Sequence, residues 1–83
     1  MEKRLAAATG RQRQRKALQK LLRDIRAEAG IRQVELARRL GKPQSYISKY
    51  ESGERRLDLV ELHDICAAIG VSLADLVRRF ESG

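Results

Sequence analysis

The sequence predicts an all-α fold of five short helices, of which the second and third form a helix-turn-helix. Three observations favour this class. Apolar residues recur at helical spacing in five separate segments. Glycines and a single proline stand where those segments end or begin. No segment shows the alternation of apolar and polar residues that is typical of a strand, and 83 residues are enough for one domain.

The first predicted helix begins near Ala17 and ends at Gly30, since glycine commonly follows the C-terminus of a helix. Upstream of it, residues 1–16 are basic, and their arginines alternate with polar glutamines, which is no strand signal. This segment is predicted to form either a flexible basic arm or an extension of the first helix. The apolar face of the first helix carries Leu18, Leu21, Leu22, Ile25 and Ala29.

The second helix is predicted over residues 33–40, and Gly41 allows the sharp turn that closes it. Pro43 fits the first turn of the third helix, because its missing N–H is no loss there. The third helix is predicted over residues 44–52 and ends at Gly53. The residues predicted to face inward are Val34, Leu36, Ala37 and Leu40 in the second helix and Ile47 and Tyr50 in the third.

The fourth helix is predicted to begin after Asp58, whose side chain caps it, and Glu61 completes a capping box. Ser72 is the predicted cap of the fifth helix. The helical domain is predicted to span residues 17–79, and residues 80–83 to form a short tail. The predicted inward residues are Leu59, Leu62, Ile65, Cys66 and Ile69 in the fourth helix, and the fifth carries Leu73, Leu76, Val77 and Phe80.

Composition and spacing exclude several classes of protein. The single cysteine, Cys66, excludes an intramolecular disulfide and a cysteine zinc site, and its apolar neighbours predict a buried thiol. His63 has no second ligand at usable spacing, and no nucleophile, base and orienting residue stand together, so we expect no metal, no cofactor and no enzyme activity. No apolar run reaches the roughly 18 residues of a membrane span and no signal peptide is present, which predicts a cytoplasmic protein.

The charge is unevenly distributed along the chain. Residues 1–56 carry sixteen Lys and Arg against six Asp and Glu, whereas residues 57–83 carry two against five. A basic face favours polyanionic partners, and the acidic end would point away from them. Charge alone fits equally well with a basic protein that has no such partner.

The third helix has a polar outer face whose side chains are suited to reading DNA bases. Gln44 can pair with adenine N6 and N7, Ser45 and Ser48 can donate to base edges, and Lys49 can reach guanine. Without a partner, the same face is an ordinary solvated helix surface. We expect phosphate contacts from helix N-termini and from the surrounding residues Arg32, Gln33, Lys42, Ser52 and Arg55.

The stretch GIRQVELARRLGKPQSYISKYESGERRLDLVELHDICAAIGVSLADL resembles the lambda-repressor-like DNA-binding domains of the Cro/cI or XRE type. The resemblance runs from about Ala17 to Val77 and depends on RQ, ELA, LG, IS and E-x-G at their spacing, followed by IGVSLADL. This set is far more specific than a general helix-turn-helix pattern. It implies a compact five-helix domain.

The resemblance also implies roles for individual residues. Gln33 would bind a phosphate and brace Gln44. Arg26 in the first helix would form an ion pair, at least partly buried, with Glu51 at the end of the third. The positions that would face bases are those of Gln44, Ser45 and Lys49.

Two residues depart from the pattern of the family. Pro43 stands where many members have a Ser or Thr cap, so the cap hydrogen bond is expected to be absent. Tyr46 is large for its position and is expected either to contact a DNA sugar or thymine methyl, or to fold onto Pro43. The arginines of the N-terminal segment are expected either to follow the DNA as a basic arm or to be a solvated helix start; they are Arg11, Arg13 and Arg15.

Taken with the charge, the resemblance predicts a sequence-specific regulator of transcription, acting as a repressor, that binds double-stranded DNA and so associates with the nucleoid. The alternative functions with the same fold are a restriction–modification controller and an antitoxin. A toxin or RNA polymerase would then be a further partner of the chain. A protein-interaction module that has lost DNA binding is the rival from another class. No membrane contact is expected. A homodimer is expected through the fifth helix, using Leu73, Leu76, Val77 and Phe80.

Overall fold

The computed structural model describes the backbone of residues 2–83 and the side chains of residues 10–83. This part of the chain folds into helices joined by short loops and contains no strand, which confirms the predicted all-α class. The helices are α1 (Glu2–Glu28), α2 (Gln33–Leu40), α3 (Gln44–Ser52), α4 (Leu59–Ile69) and α5 (Leu73–Ser82).

Helix α1 is longer than the apolar pattern predicts. It begins at Glu2 rather than near Ala17 and runs through Gly10, so that residues 11–16 are helical. Gly10 inside a helix costs only about 0.5–1 kcal/mol, and the Ala, Arg, Gln and Lys residues around it are strong helix formers. An apolar face indicates only the part of a helix that packs against other helices. The sequence of α1 before Ala17 shows no such face, so the apolar pattern could not predict it. The side chains of residues 1–9, which belong to the predicted basic segment, lie outside the described residues.

Helix α5 is also longer than predicted, because residues 80–82 continue it where a short tail was expected. The Ser82 hydroxyl donates to the carbonyl of Arg78, and the Gly83 N–H donates to the carbonyl of Arg79. Phe80 is half-buried. The polar residues after it gave no periodic signal by which the sequence could place the helix end.

The core is aliphatic and lies where the five helices meet. Most of the residues predicted to face inward are buried or half-buried, but Val34 is 54% exposed and Leu59 is 64% exposed, so both were placed wrongly. Ala29 and Val77 are exposed as well. Val34 precedes Leu36 by two residues, which is about 200° around a helix and so the opposite face. Leu59 is the first residue of α4. Periodicity does not show whether the neighbouring helices extend far enough to cover that end of α4. The buried residues are Leu22, Ile25, Ile31, Leu36, Ala37, Ile47, Tyr50, Ile65, Cys66, Ile69 and Leu76.

The ends of the helices follow the chemistry of their capping residues. Gly41 has a φ of 66°, and the turn it allows lets the Lys42 N–H donate to the carbonyl of Ala37 at 2.9 Å. Pro43 is the N-cap of α3 and supplies no side-chain hydrogen bond, as expected for a proline at this position. The capping box of Asp58 and Glu61 is present at α4, as predicted.

The packing leaves one side of α3 free. Helix α2 packs against α3 and α4, while α1 packs against α3 and α5, and α5 also packs against α4. The turn after Gly41 directs α3 across α2. Helix α3 is therefore supported from one side by α1 and α2, and its other side faces solvent.

Candidate nucleic-acid interface

Helix α3 divides sharply into a buried side and an exposed side. Ile47 is fully buried and Tyr50 is 1% exposed, and both anchor the helix in the core. Since successive residues of a helix are about 100° apart, these anchors turn a second set of residues outward. That set, the outer face of α3, consists of the exposed residues Gln44, Ser45, Ser48 and Lys49.

The buried end of α3 is tied to α1 by an ion pair. The Arg26 guanidinium donates to both carboxylate oxygens of Glu51, at 2.7 and 3.0 Å, and also to the carbonyl of Ile31 at 2.9 Å. The side chains of Arg26 and Glu51 are only 14% and 4% exposed. The hydrogen bond to Glu51 raises the pKa of Arg26, so the guanidinium stays charged. This pair fixes the direction in which α3 leaves the core.

A chain of hydrogen bonds leads from this pair to the outer face of α3. Gln33 donates through Nε2 to Oε1 of Glu51 at 3.0 Å, and Gln44 donates through Nε2 to Oε1 of Gln33 at 3.4 Å. An ionised carboxylate can only accept hydrogen bonds, so the amide of Gln33 must turn its oxygen towards Gln44. Gln44 is thereby left with one N–H and its oxygen free and directed outward.

Two of the three serines in α3, Ser48 and Ser52, already use their hydroxyl protons within the protein. Ser48 donates to the carbonyl of Ser45 at 3.2 Å, and Ser52 lies 3.1 Å from both the carbonyl of Lys49 and the carboxylate of Glu54. Ser48 and Ser52 can therefore offer a DNA group their lone pairs more readily than a proton. Ser45 has no such internal bond in the described part of the chain and keeps its donor.

Tyr46 is half-buried and contacts side chains from the core, from α4 and from the segments before and after α3. Its ring stands edge-on to that of Tyr50, with centroids 5.7 Å apart, and its hydroxyl lies 3.3 Å from Oε2 of Glu61. Lys42 Nζ lies 5.4 Å from the ring centroid and Arg55 Cζ lies 4.9 Å from it. Burial raises the pKa of Tyr46, so its hydroxyl stays protonated.

Glu61 holds this cluster together, although the sequence pattern predicted only a capping role for it. Its Oε1 accepts the Asp58 N–H at 2.9 Å, while its Oε2 accepts from Arg55 at 2.5 Å. The Asp58 N–H and then Arg55 hold the pKa of Glu61 below its ordinary value. No spacing rule could have joined Arg55 to Glu61, because a loop of irregular geometry separates them.

Comparison with known proteins agrees with this geometry. A family model described as helix-turn-helix matches residues 22–76, which include the whole of α2, α3 and α4. A solved XRE-family like protein from Pseudomonas syringae pv. tomato superposes with a TM-score of 0.87 at 45% identity, covering 93% of this chain and 94% of its own. This chain belongs to the XRE-type helix-turn-helix family.

Two further proteins resemble this XRE-type chain. An uncharacterized HTH-type transcriptional regulator, y4dJ of Sinorhizobium fredii, is 38% identical over 53 residues, which are 64% of this chain and 69% of the regulator. The structure of the restriction-modification controller protein C.Esp1396I superposes with a TM-score of 0.77 at 25% identity, covering 83% of this chain and 88% of that one. The family is one of transcriptional regulators and not of enzymes.

The predicted phosphate-binding residues of this XRE-type domain stand at or near the ends of α2 and α3 in the chain. Arg32 stands exposed at the N-cap of α2 and Gln33 is half-buried beside it. Lys42 precedes α3 and Arg55 follows it, and both are exposed. Arg55 is also held by Glu61, which raises the pKa of Arg55. Lys42 and Arg55 therefore precede and follow α3 in the chain, and both lie over the ring of Tyr46.

The basic segment of α1 reaches the same region at one point. Arg11, Arg13 and Arg15 are all exposed on α1. Arg15 shares a cleft of about 250 Å³ with Arg55 and Arg56, between α1 and the loop after α3. Sequence reasoning missed Arg56, because only the fold brings it beside Arg15.

The residues predicted to form a dimer seam in this XRE-type domain are not all on the surface. Leu76 is 3% exposed and belongs to the core of the subunit, so it cannot serve as a contact between subunits. Leu73 and Phe80 are half-buried, and Val77 is 42% exposed. Any seam on α5 must therefore be centred on Val77 and the exposed edges of its neighbours.

Two kinds of site are not found in the part of the chain that the structure describes. No group of three or more His, Cys, Asp or Glu side chains could hold a metal ion there. No helix in that part is long and apolar enough to span a membrane.

Proposed function

We propose that this chain is a sequence-specific regulator of transcription that binds double-stranded DNA with α3 in the major groove. The observation that carries the proposal is the hydrogen-bonded chain from Glu51 through Gln33 to Gln44. On a helix face that only contacts solvent, we expect side chains without a fixed orientation, whereas here the buried Glu51 orients Gln44 through Gln33. The proposal includes repression, by occupying a site that RNA polymerase needs.

The free groups of the outer face of α3 match the edges of particular bases. Gln44 keeps one N–H for adenine N7 and its oxygen for the adenine N6 amino group, the bidentate pair that glutamine makes with adenine. Lys49 would donate to O6 or N7 of a guanine, and Ser45 to a base edge or a phosphate nearby. These three residues carry the proposed choice of sequence.

Contacts to the DNA backbone would fix the depth and angle of α3 in the groove. The free N–H groups at the N-termini of α2 and α3 attract phosphate. Lys42 and Arg55 would contact the backbone beside Tyr46, with Arg32 and Gln33 adding to them. Ser52 would join them by turning its hydroxyl proton from Lys49 and Glu54 to a phosphate oxygen. Such contacts position the protein and carry no sequence information of their own.

A second copy of the chain would complete the regulator. We propose a dimer through α5, centred on Val77, which places two α3 helices about 34–36 Å apart on a near-palindromic site. The charge distribution supports this arrangement, because the basic residues lie mainly outside the C-terminal third that contains α5. A contact through α5 would therefore leave the basic faces of the two subunits apart and free to meet DNA.

Selection of bound duplexes from a random pool, at about 0.15 M salt so that surface charges are normally screened, tests this function. We expect an enriched motif with two inverted half-sites. Retention of all sequences alike would overturn specific recognition. A single, unrepeated half-site would overturn the dimer and leave base reading intact.

The likeness to a restriction-modification controller supports one narrower candidate, a regulator of a restriction–modification operon. An antitoxin of the same fold differs from it in its partner. Capture with the purified chain as bait separates the two, since an antitoxin would retain a toxin encoded beside it and a controller would retain only DNA.

A further inference from the structure

Two cations, one before α3 in the chain and one after it, lie over the ring of Tyr46. Lys42 stands before α3 and Arg55 after it, at 5.4 and 4.9 Å from the ring centroid. We propose that Tyr46 is a positioning residue, which holds Lys42 and Arg55 in place for the DNA backbone and itself reads no base. This inference rests on the proposed DNA-binding function and adds a residue through which that function works.

The ring is fixed from two directions. On the core side it meets the ring of Tyr50 edge-on, at an interplanar angle of 78°, and Tyr50 is 1% exposed and packed in the core. On the other side its hydroxyl bonds to Glu61, whose second oxygen is held by the Asp58 N–H of the capping box. In the part of the chain that the structure describes, this is the only side-chain hydrogen bond between α3 and α4. A ring held in this way is a rigid platform.

The platform suits both cations. The face of an aromatic ring carries negative charge and attracts an ammonium or a guanidinium within about 6 Å of its centroid. Arg55 gives one nitrogen, Nη2, to Glu61, which leaves its other donors free for a phosphate oxygen. Lys42 has no bond to a carboxylate in the described part of the chain, so the ring is the contact that orders it.

The consequence for binding is one of entropy. A long side chain that is free in solution must be ordered when it contacts DNA, which weakens association by an amount that a pre-ordered side chain avoids. Tyr46 would order two such side chains before DNA arrives. Loss of the ring should then weaken binding to every duplex, and the choice of base at each position should stay the same.

The first test needs no DNA. Nitrogen-15 relaxation of the Arg55 Nε–H in the free protein should show a rigid side chain in the wild type. The same is expected in Tyr46→Phe, which loses the hydroxyl bond to Glu61 and keeps the ring and its contact with Tyr50. Tyr46→Leu, which keeps bulk and loses the aromatic face, should make Arg55 more mobile on the nanosecond timescale than it is in the wild type, with its bond to Glu61 still in place. An Arg55 that stays rigid in Tyr46→Leu would overturn the proposal.

The second test measures binding to the selected duplex at a temperature where melting curves show each variant to be folded. Tyr46→Leu should bind about tenfold more weakly than wild type, and Tyr46→Phe should remain close to wild type. Lys42→Ala should reduce the affinity for DNA less in the Tyr46→Leu background than in wild type, because the ring that orders Lys42 is already missing. Lys49→Ala is the matched control and should cost the same in both backgrounds.

These results separate two failures. The loss of binding from Lys42→Ala and that from Lys49→Ala could each be the same in the Tyr46→Leu background as in wild type. In that case Tyr46 has only a structural role and the positioning proposal is wrong. If the wild type binds no duplex selectively, the proposed function is wrong, and the relaxation of Arg55 still decides whether Tyr46 orders it.

Discussion

Gln33 donates its Nε2 proton to the buried Oε1 of Glu51, 3.0 Å away, and this bond determines how Gln33 meets Gln44. The carboxylate accepts and cannot donate, so the Gln33 amide has one stable orientation, with its oxygen 3.4 Å from Gln44 Nε2. Gln44, the proposed base reader on the surface, is thus oriented by a charge in the interior. The same charge neutralises Arg26, so folding and the proposed recognition of DNA share one ion pair.

Glu51→Ala should lower the free energy of unfolding by about 3–5 kcal/mol, because it leaves the Arg26 guanidinium buried without a counter-charge. Urea denaturation followed by circular dichroism measures this change. The double variant Arg26→Met, Glu51→Leu is the control, since it removes both charges and should recover most of the loss. A double variant as unstable as the single one would show that packing and not charge is responsible.

Gln44→Ala should cost about 1–3 kcal/mol of binding on the preferred duplex and relax the choice of base at one position in each half-site. Fluorescence anisotropy against a set of single-base variants of the site measures both effects. Ser48→Ala is a useful comparison, because the Ser48 proton is used within the helix and its loss should change base choice less. Equal loss for Gln44→Ala on every sequence would show that Gln44 is not a base reader.

Lys42→Ala should weaken binding to all duplexes alike and reduce the slope of log affinity against log salt by about one. The reason is that one phosphate contact fewer releases one counterion fewer. Titrations at several salt concentrations give the slope. Arg78→Ala removes a charge of the same sign on α5, where it pairs with Asp75, and should leave the slope unchanged. An unchanged slope for Lys42→Ala would remove Lys42 from the interface.

Val77→Glu should dissociate the proposed dimer without unfolding the subunit, because Val77 is 42% exposed and Leu76 beside it forms the core. Removal of α5 is a poorer test, since it would also remove Leu76. Sedimentation equilibrium measures the association. Val60→Glu is the control, as Val60 is 69% exposed on α4. A Val77→Glu protein that remains dimeric would place the seam elsewhere.

Acid should weaken the link between α1 and α5. Arg79 donates to both oxygens of Glu28 at 2.9 Å, and this contact holds the pKa of Glu28 below its ordinary value of 4.5. Folded Glu28 therefore binds a proton less readily than unfolded Glu28, and its contribution to stability is present above pH 4.5 and is lost as the pH falls through the lower folded value.

Denaturation at a series of pH values between about 5 and 3 tests this contribution. Stability should fall less steeply in Glu28→Gln than in wild type. Glu81→Gln, at an exposed glutamate with no ion pair in the described part of the chain, should follow the wild type. A Glu28→Gln protein with the wild-type slope would show that the ion pair adds nothing to folding in solution.

Local patterns carried most of the fold prediction. The capping box of α4, the glycines after helices and the apolar faces of α2 to α5 depend on neighbours in sequence, so they can be predicted without a structure. The start of α1 and the end of α5 could not, because both ends project beyond the packed core and show no apolar period. Val34 was misplaced because an apolar residue in a short helix was taken for an inward one.

The sequence by itself determined the helical class, the helix-turn-helix and the residues of the outer face of α3, since all three follow from spacing along a helix. The tertiary structure decided which groups meet across helices. It joined Glu51 to Gln33 over 18 residues of chain and Tyr46 to Glu61 over 15, and it placed Leu76 in the core rather than at a seam. Such contacts depend on how helices cross, and periodicity along one helix holds no information about its crossing with another.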